Sequence, residues 1–202
     1  MQLILRPTTG ADADAIGSVH YQAWMETYTG LIQPAFLAAR SPAKSAALFR
    51  SQGCENTWVA VVVDAIVGFC GYGPPRGPAP ADAGEVYGLY VLRAFQRQAI
   101  GSRLLREARS ALRQQGFQTA FLWVLAGNAP AMAFYQKQGF RFDGTSKTET
   151  LVEPFETAMS EYVTMPRASD IARVYAGIHR VKYDNGEVVE ADPINYAWWD
   201  IE

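Results

Sequence analysis

Tyr90-Val91-Leu92-Arg93-Ala94-Phe95-Gln96-Arg97-Gln98-Ala99-Ile100-Gly101-Ser102 is the stretch whose reading decides the fold. It predicts the end of a strand spanning Glu85–Leu92, a short loop, and the start of an amphipathic helix from Gly101 to Gln115. Leu104, Leu105, Ala108, Ala111 and Leu112 share the inner face of that helix, Arg103, Arg106, Arg109 and Arg113 lie on the outer face as a solvated stripe with first-turn Arg103 the exception, and Gly116 stops it. A strand that feeds straight into a helix makes an anion site. The first helical N–H groups lack intrahelical partners, the helix dipole favours negative charge, and small residues let a diphosphate approach the main chain. Arg97 and Arg103 add charge-assisted contacts. No Gly-x-x-x-x-Gly-Lys-Ser/Thr occurs, and no strand is followed by Gly-x-Gly-x-x-Gly, so neither a nucleoside triphosphate nor a dinucleotide is indicated.

Upstream, Leu3–Leu5 closed by Arg6-Pro7 predicts a first strand, and Thr9 and Asp12 open a helix through Ile16, Val19, Ala23 and Thr27 that ends at Gly30. A less regular helical stretch runs from Pro34 to about Leu48–Phe49, with a break at Pro42. The β-branched runs Thr57–Val63 and Ile66–Tyr72 flank Asp64-Ala65 as a hairpin. Gly73 to Gly84 holds four prolines and is a loop. Downstream come a strand at Thr119–Val124, a helix Ala129–Gln138 capped by Asn128 with Pro130 in its first turn, a strand opening at Phe140–Phe142, and a last strand near Met159–Met165. This order predicts an α/β domain with a mixed sheet.

The chain has 202 residues, which at about 150 per domain suggests one domain with an appendage. With 49% hydrophobic and 19% charged residues it is too apolar for disorder, and its apolar runs are too short to span a bilayer. A net charge of −2 argues against general affinity for nucleic acid or acidic membranes. The first residues lack a basic leader and a long apolar region, and Cys54 and Cys70 form neither a CxxC pair nor a metal cluster. A soluble, cytoplasmic protein without a metal is expected.

Four motifs together carry a family resemblance. Gln96, Ala99 and Gly101 are similar to the Gln/Arg-x-x-Gly-x-Gly/Ala signature of the GNAT superfamily of acetyl-CoA-dependent N-acetyltransferases, with Ala in place of the first Gly. Asn128-Ala129-Pro130-Ala131-Met132-Ala133-Phe134-Tyr135-Gln136-Lys137-Gln138-Gly139-Phe140 resembles the family's Asn-x-x-Ala-x-x-Phe-Tyr-x-x-x-Gly-Phe stretch. His20-Tyr21-Gln22-Ala23-Trp24-Met25-Glu26-Thr27-Tyr28-Thr29-Gly30-Leu31 and the strand Glu85–Val91 resemble a bacterial branch of these enzymes. The resemblance runs from about Leu3 to Met165. It implies a mixed, mostly antiparallel central sheet with helices on both faces, within a domain over residues 1–166. Ala99 is expected in the right-handed region, where Ala in place of Gly stiffens the loop at little cost.

The resemblance further implies acetyl-CoA as co-substrate, held by Leu89, Val91, Gln96, Arg97, Gln98, Ala99, Ile100, Gly101, Ser102, Arg103 and Asn128, with a backbone N–H near Val91 polarising the thioester carbonyl where two parallel strands splay apart. An amine with a pKa near 10.4 is protonated at pH 7, so acyl transfer needs a base. Glu85, eleven positions before Gln96, lies where the family's histone-modifying members place theirs. The alternative is a Glu at the mouth of a strand, in solvent. Tyr135 is implied as the acid that protonates the leaving sulfur; its plainer reading is core packing beside Phe134. Trp24, Tyr28 and Tyr87 are expected to line the acceptor pocket, with Phe36 and the proline loop beside them, and His20 to be a packed or hydrogen-bonded helix residue. The expected reaction is acetylation of a primary amine on a small molecule. Acetylation of a protein N-terminus or lysine, and a non-catalytic CoA-sensing module, are the alternatives.

Residues 167–202 fall outside the resemblance and carry four basic and seven acidic residues. Arg167–Gly177 reads as a short helix started by Ser169, and Ile178–Tyr183 with Glu187–Glu190 as a hairpin around Asp184-Asn185-Gly186. Tyr196, Trp198 and Trp199 add aromatic surface. The extension is either a clip on its own domain or an arm to a second subunit, and the reading leans to the homodimer arm.

Overall fold

The computed structural model describes residues 2–77, 79–151, 174–183 and 188–189. The fold is a mixed α/β architecture, and the chain divides into two compact units, Met1–Gly73 with Val86–Leu112, and Pro74–Glu85 with Arg113–Glu202.

In the first unit β1 (Leu3–Pro7), β2 (Thr57–Val62), β3 (Ala65–Gly73) and β4 (Ala83–Val91) follow one another in sheet order. β1–β2 and β2–β3 are antiparallel, and the Leu92 N–H donates to the Val67 carbonyl at 2.9 Å beyond the end of β4. The β2–β3 turn is Val63-Asp64, one residue earlier than the sequence suggests, because Val62 pairs with Ala65. Both turn residues have positive φ, +49° and +63°, as a two-residue hairpin of this hand requires. Asp tolerates that conformation better than β-branched Val63 does.

The helices α1 (Ala13–Tyr28), α2 (Pro34–Ala38) and α3 (Pro42–Gln52) pack in this unit. The break expected at Pro42 separates α2 from α3, and the Ser41 side chain caps α3 by accepting from the Lys44 N–H at 3.2 Å. Gly17 is where α1 meets α3, since a Cβ there would lie 2.4 Å from the Ala46 backbone. The core gathers Ala13, Ile16, Val19, Cys54, Val59 and Phe69, with Phe49, Tyr90 and Leu92 against it. Asp12 fastens the entrance to α1. It accepts from the Arg6 guanidinium at 2.7 and 2.8 Å and from the Thr9 N–H at 2.7 Å, and the Arg6 bonds above all hold its carboxyl below the usual range. α4 (Ile100–Gln114) buries Ile100, Leu104, Leu105, Ala108 and Leu112, the face that periodicity selects, and Gly116 follows it at φ +95°.

In the second unit the first residues of β4 pair in parallel with β5 (Thr119–Leu125), from Ala83↔Thr119 to Glu85↔Phe121. Asp82 prepares this ladder by accepting from the Gln118 and Thr119 N–H groups at 2.8 and 3.2 Å. α5 (Ala129–Lys137), β6 (Phe140–Arg141) and β7 (Ser146–Leu151) follow. β8 (Val174–Tyr183) then lies between β5 and β6, parallel to both, with β7 also parallel to it and β9 (Val188–Val189) antiparallel.

The helix expected over Arg167–Gly177 is therefore corrected: Val174–Gly177 are strand. Their N–H and C=O groups complete the ladder beside β5, a sheet demand that overrides local helical pattern. The antiparallel β8–β9 pair agrees with the expected hairpin. Its turn residues, the strand expected near Met159–Met165, and Tyr196, Trp198 and Trp199 lie outside the described residues. No helix among the described residues is long and apolar enough to cross a membrane.

Candidate active site

The loop between β4 and α4 is built by a single helical turn, Arg93–Phe95, followed by an alternation of backbone hand. Gln96 is extended, at φ −69° and ψ 167°, and Arg97 and Ala99 have φ of +60° and +59° with Gln98 between them. Alternating conformations of this kind turn successive N–H groups to one side and make an anion-binding concavity. α4 follows at once, and its hydrogen bonds begin with the Arg103 N–H donating to the Ala99 carbonyl at 3.0 Å, so the N–H groups of Ile100, Gly101 and Ser102 precede the helical ladder. Arg97, Gln98 and Ala99 are exposed and Gly101, Ser102 and Arg103 half-buried. The Ile100 side chain is in the core, which leaves only its backbone for a ligand.

The expectation for Ala99 is corrected here. Its φ is left-handed, not right-handed, a conformation that costs an L-residue about 1–2 kcal/mol. Such strain is held by its surroundings and concentrates at functional sites. Part of the holding comes from Gln96, whose side-chain amide donates to the Val91 carbonyl at 2.9 Å and ties the loop to the end of β4. Glu26 of α1 contributes as well, accepting from the Arg93 N–H at 2.8 Å. Leu89 and Val91 are half-buried along the same part of β4. Gly68 on β3 permits this packing, because a Cβ there would come within 2.8 Å of the Tyr90 carbonyl oxygen.

The residues expected on the acceptor side form an aromatic group in the first unit. Trp24 donates its indole N–H to the Tyr90 hydroxyl at 3.0 Å and lies 4.5 Å, centroid to centroid, from Tyr28. Arg40 places its guanidinium 3.8 Å from the centre of the Trp24 ring and 5.9 Å from that of Phe36. One cation–π partner of Trp24 thus comes from the protein itself. His20 is buried against Trp24, Phe49, Phe69 and Tyr90, with Nδ1 3.2 Å from the Ser45 hydroxyl. Burial, and then the nearby Arg40 cation, push its pKa down to about 3, so the ring is neutral. Tyr87 is half-buried, and its hydroxyl packs over Gly73, where a Cβ would stand 2.4 Å from the oxygen.

In the second unit Glu85 is 4% exposed, which excludes the plain reading of a carboxylate in solvent. A buried carboxylate needs partners, and Arg76 supplies them from the proline loop. Its Nη2 donates to Oε1 at 2.7 Å, its Nε to Oε1 at 3.2 Å, and its backbone N–H to Oε2 at 2.8 Å. Arg76 carries no motif, and sequence reading misses it. The one available signal is that it is the only Lys or Arg between Gly73 and Gly84. Arg40, Ser45 and Tyr90 are missed for the same reason: each matters through a contact distant in sequence.

Asn128, 7% exposed, caps α5 by accepting from the Ala131 N–H at 3.2 Å. Tyr135 on that helix is 8% exposed, with its ring 5.2 Å from Phe134 and 5.4 Å from Phe140. Its ring is thus packed as the plainer reading expects. Cys54 and Cys70 are free and buried, and burial raises the Cys70 thiol pKa. Among the described residues no cluster of three His, Cys, Asp or Glu is placed to hold a metal ion.

The sequence profile of the acetyltransferase (GNAT) family matches residues 20–140. The chain is 32% identical over 126 residues to the uncharacterized N-acetyltransferase YuaI of Bacillus subtilis, covering 62% of this chain and 72% of that one. It is 21% identical to the spermidine N(1)-acetyltransferase of Thermoplasma acidophilum over 169 residues, 76% of this chain and 97% of that protein. Its fold is similar to the crystal structure of the PaiA N-acetyltransferase of Thermoplasma acidophilum in complex with coenzyme A, with a TM-score of 0.60 at 24% identity over 72% of this chain and 93% of that one. With a turn of alternating backbone hand ahead of α4, the Asn128–Phe140 motif, and a profile match over more than half its length, the chain belongs to the acetyltransferase (GNAT) family.

Proposed function

We propose that this acyltransferase moves the acetyl group of acetyl-CoA to a primary amine of a small molecule. The observation that carries the reading is the turn at Gln96–Ala99, whose alternating φ presents backbone N–H groups ahead of α4 as a diphosphate requires. Arg97, Gln98, Gly101, Ser102 and Arg103 hold the phosphates, Leu89 and Val91 flank the pantetheine arm, and Asn128 adds a polar contact beside its capping role. Acetyl-CoA supplies the acetyl group as an activated thioester.

Glu85 takes a proton from the acceptor ammonium. The amine nitrogen then bonds to the acetyl carbon as the carbon–sulfur bond breaks, and Tyr135 donates a proton to the departing sulfur. The nitrogen's second proton restores Tyr135 through solvent, so one proton is released per acetyl transferred. Trp24, Tyr28 and Tyr87 shape the acceptor pocket. A spermidine acetyltransferase among the relatives supports a small-molecule amine. Two free thiols accord with a cytoplasmic setting, and β8 pairs with β5 of its own chain.

The test is release of free thiol from acetyl-CoA across a panel of polyamines, amino acids, aminoglycosides and short peptides. At least one small amine is expected to turn over, with Glu85→Gln and Tyr135→Phe each lowering kcat by about 10²–10⁴ while acetyl-CoA affinity holds. Turnover with peptides alone, or with nothing, would overturn the reading.

A further inference from the structure

The end of α1 and the start of the cofactor loop cap each other. Arg93 opens the turn Arg93–Phe95, so its backbone N–H precedes that turn's own hydrogen bonds, and the Glu26 carboxylate accepts it through Oε2 at 2.8 Å. In return the Arg93 guanidinium donates to the main-chain carbonyl of Glu26. That carbonyl belongs to the last turn of α1, where the helical ladder runs out and the helix dipole favours a cation. The other carboxylate oxygen, Oε1, accepts the Gln22 side-chain amide at 2.9 Å, which steadies the Glu26 side chain from one turn earlier. Gln22, Glu26 and Arg93 all lie in the first compact unit.

We propose that this reciprocal cap is a latch through which Glu26 acts as a positioning residue for acetyl-CoA, fixing the cofactor loop to the helix that carries Trp24 and Tyr28. The inference rests on the reading of the β4–α4 loop as the acetyl-CoA site. Glu26 holds the entrance of that loop at Arg93, and Gln96 ties it back to the Val91 carbonyl. The left-handed Arg97 and Ala99 follow directly, and a backbone keeps so costly a conformation only where the contacts around it over-determine it. Releasing the entrance lowers the fraction of molecules whose loop is ready for the phosphates, and the apparent affinity falls with that fraction. Linkage makes the effect mutual, so a bound cofactor steadies the last turn of α1. By its charge alone, a carboxylate beside an anion-binding loop works against the anion, so geometry and charge predict opposite signs on removing it.

The test separates reach from charge and needs no turnover. Coenzyme A is titrated into the parent, Glu26→Gln and Glu26→Asp proteins, with Kd read by calorimetry. Glutamine keeps the length and an oxygen for the Arg93 N–H but drops the charge, whereas aspartate keeps the charge and is one methylene too short. Glu26→Asp should weaken binding about fivefold, while Glu26→Gln should stay within about twofold of the parent or bind more tightly. Hydrogen exchange supplies the second readout: coenzyme A should slow exchange in the last turn of α1 in the parent and in Glu26→Gln, but not in Glu26→Asp. Glu26→Ala, with the same expectations as the aspartate variant, serves if that variant does not fold. Parent-like or tighter binding in Glu26→Asp, binding in Glu26→Gln as weak as in Glu26→Asp, or exchange in the parent that ignores coenzyme A would overturn the latch alone. Coenzyme A failing to bind the parent would overturn the reading of the loop and the latch together.

Discussion

The helix α1 and the β4–α4 loop are both recognised by motif, yet the protein uses them in opposite ways. From α1, His20 is enclosed by rings and Ser45, and Trp24 is hydrogen-bonded to Tyr90 and covered by Arg40. These side chains are committed to internal contacts. The loop does the reverse: Arg97, Gln98 and Ala99 are exposed, and two of the three have left-handed backbones. One motif preserves a packed aromatic group, and the other preserves a backbone shape. Changes in the first, Glu26 apart, should therefore be read in stability and in acceptor binding, and changes in the second in cofactor affinity.

The largest test of this contrast is acid. His20 has a pKa of about 3 in the folded protein against about 6.5 when unfolded. The unfolded chain binds the proton first, so the contribution of His20 is whole above pH 6.5 and is lost as pH falls toward 3. Stability should decline by about 1.4 kcal/mol per pH unit in that window, and His20→Gln should remove this slope whatever its constant offset. Urea unfolding at pH 7, 6, 5 and 4 measures it, and equal slopes in the two proteins would mean that the histidine is not sealed from protons.

A smaller effect is expected from Trp24→Phe, which deletes the bond to Tyr90 and weakens the stacking of Arg40. It should lower stability by about 1–2 kcal/mol, with acetyl-CoA affinity unchanged. Altered acetyl-CoA affinity would erase the distinction between the two regions. The smallest effect is at Ala99. Glycine relieves the left-handed strain but adds freedom to the unfolded chain, so Ala99→Gly should change stability by less than about 1 kcal/mol and in the favourable direction. Ala99→Val should instead weaken acetyl-CoA binding while its thermal midpoint moves little. A large fall in that midpoint would make the turn a structural element like α1.

Most elements are legible in the sequence because their signals are local. Pro42 marks a break, Asn128 with Pro130 marks a helix start, Gly116 follows α4, and the leucine stripe of α4 follows from periodicity. Boundaries shift by a residue where pairing decides, as at Val63-Asp64. The segment from Val174 is misread for a deeper reason: a helical pattern there competes with the unpaired edge of β5, which lies more than fifty positions earlier.

The sequence alone determined the family, the place of the candidate phosphate turn and the identity of Glu85 as a candidate base, because these rest on residue types at fixed short spacing. Only the tertiary structure decided that Ala99 is left-handed, that His20 is sealed and neutral, and that Glu85 faces Arg76 rather than water. Each depends on what surrounds a group once the chain has closed. A φ angle is set by the ends it joins, a proton affinity by burial, and a charge by the partner that the fold brings to it.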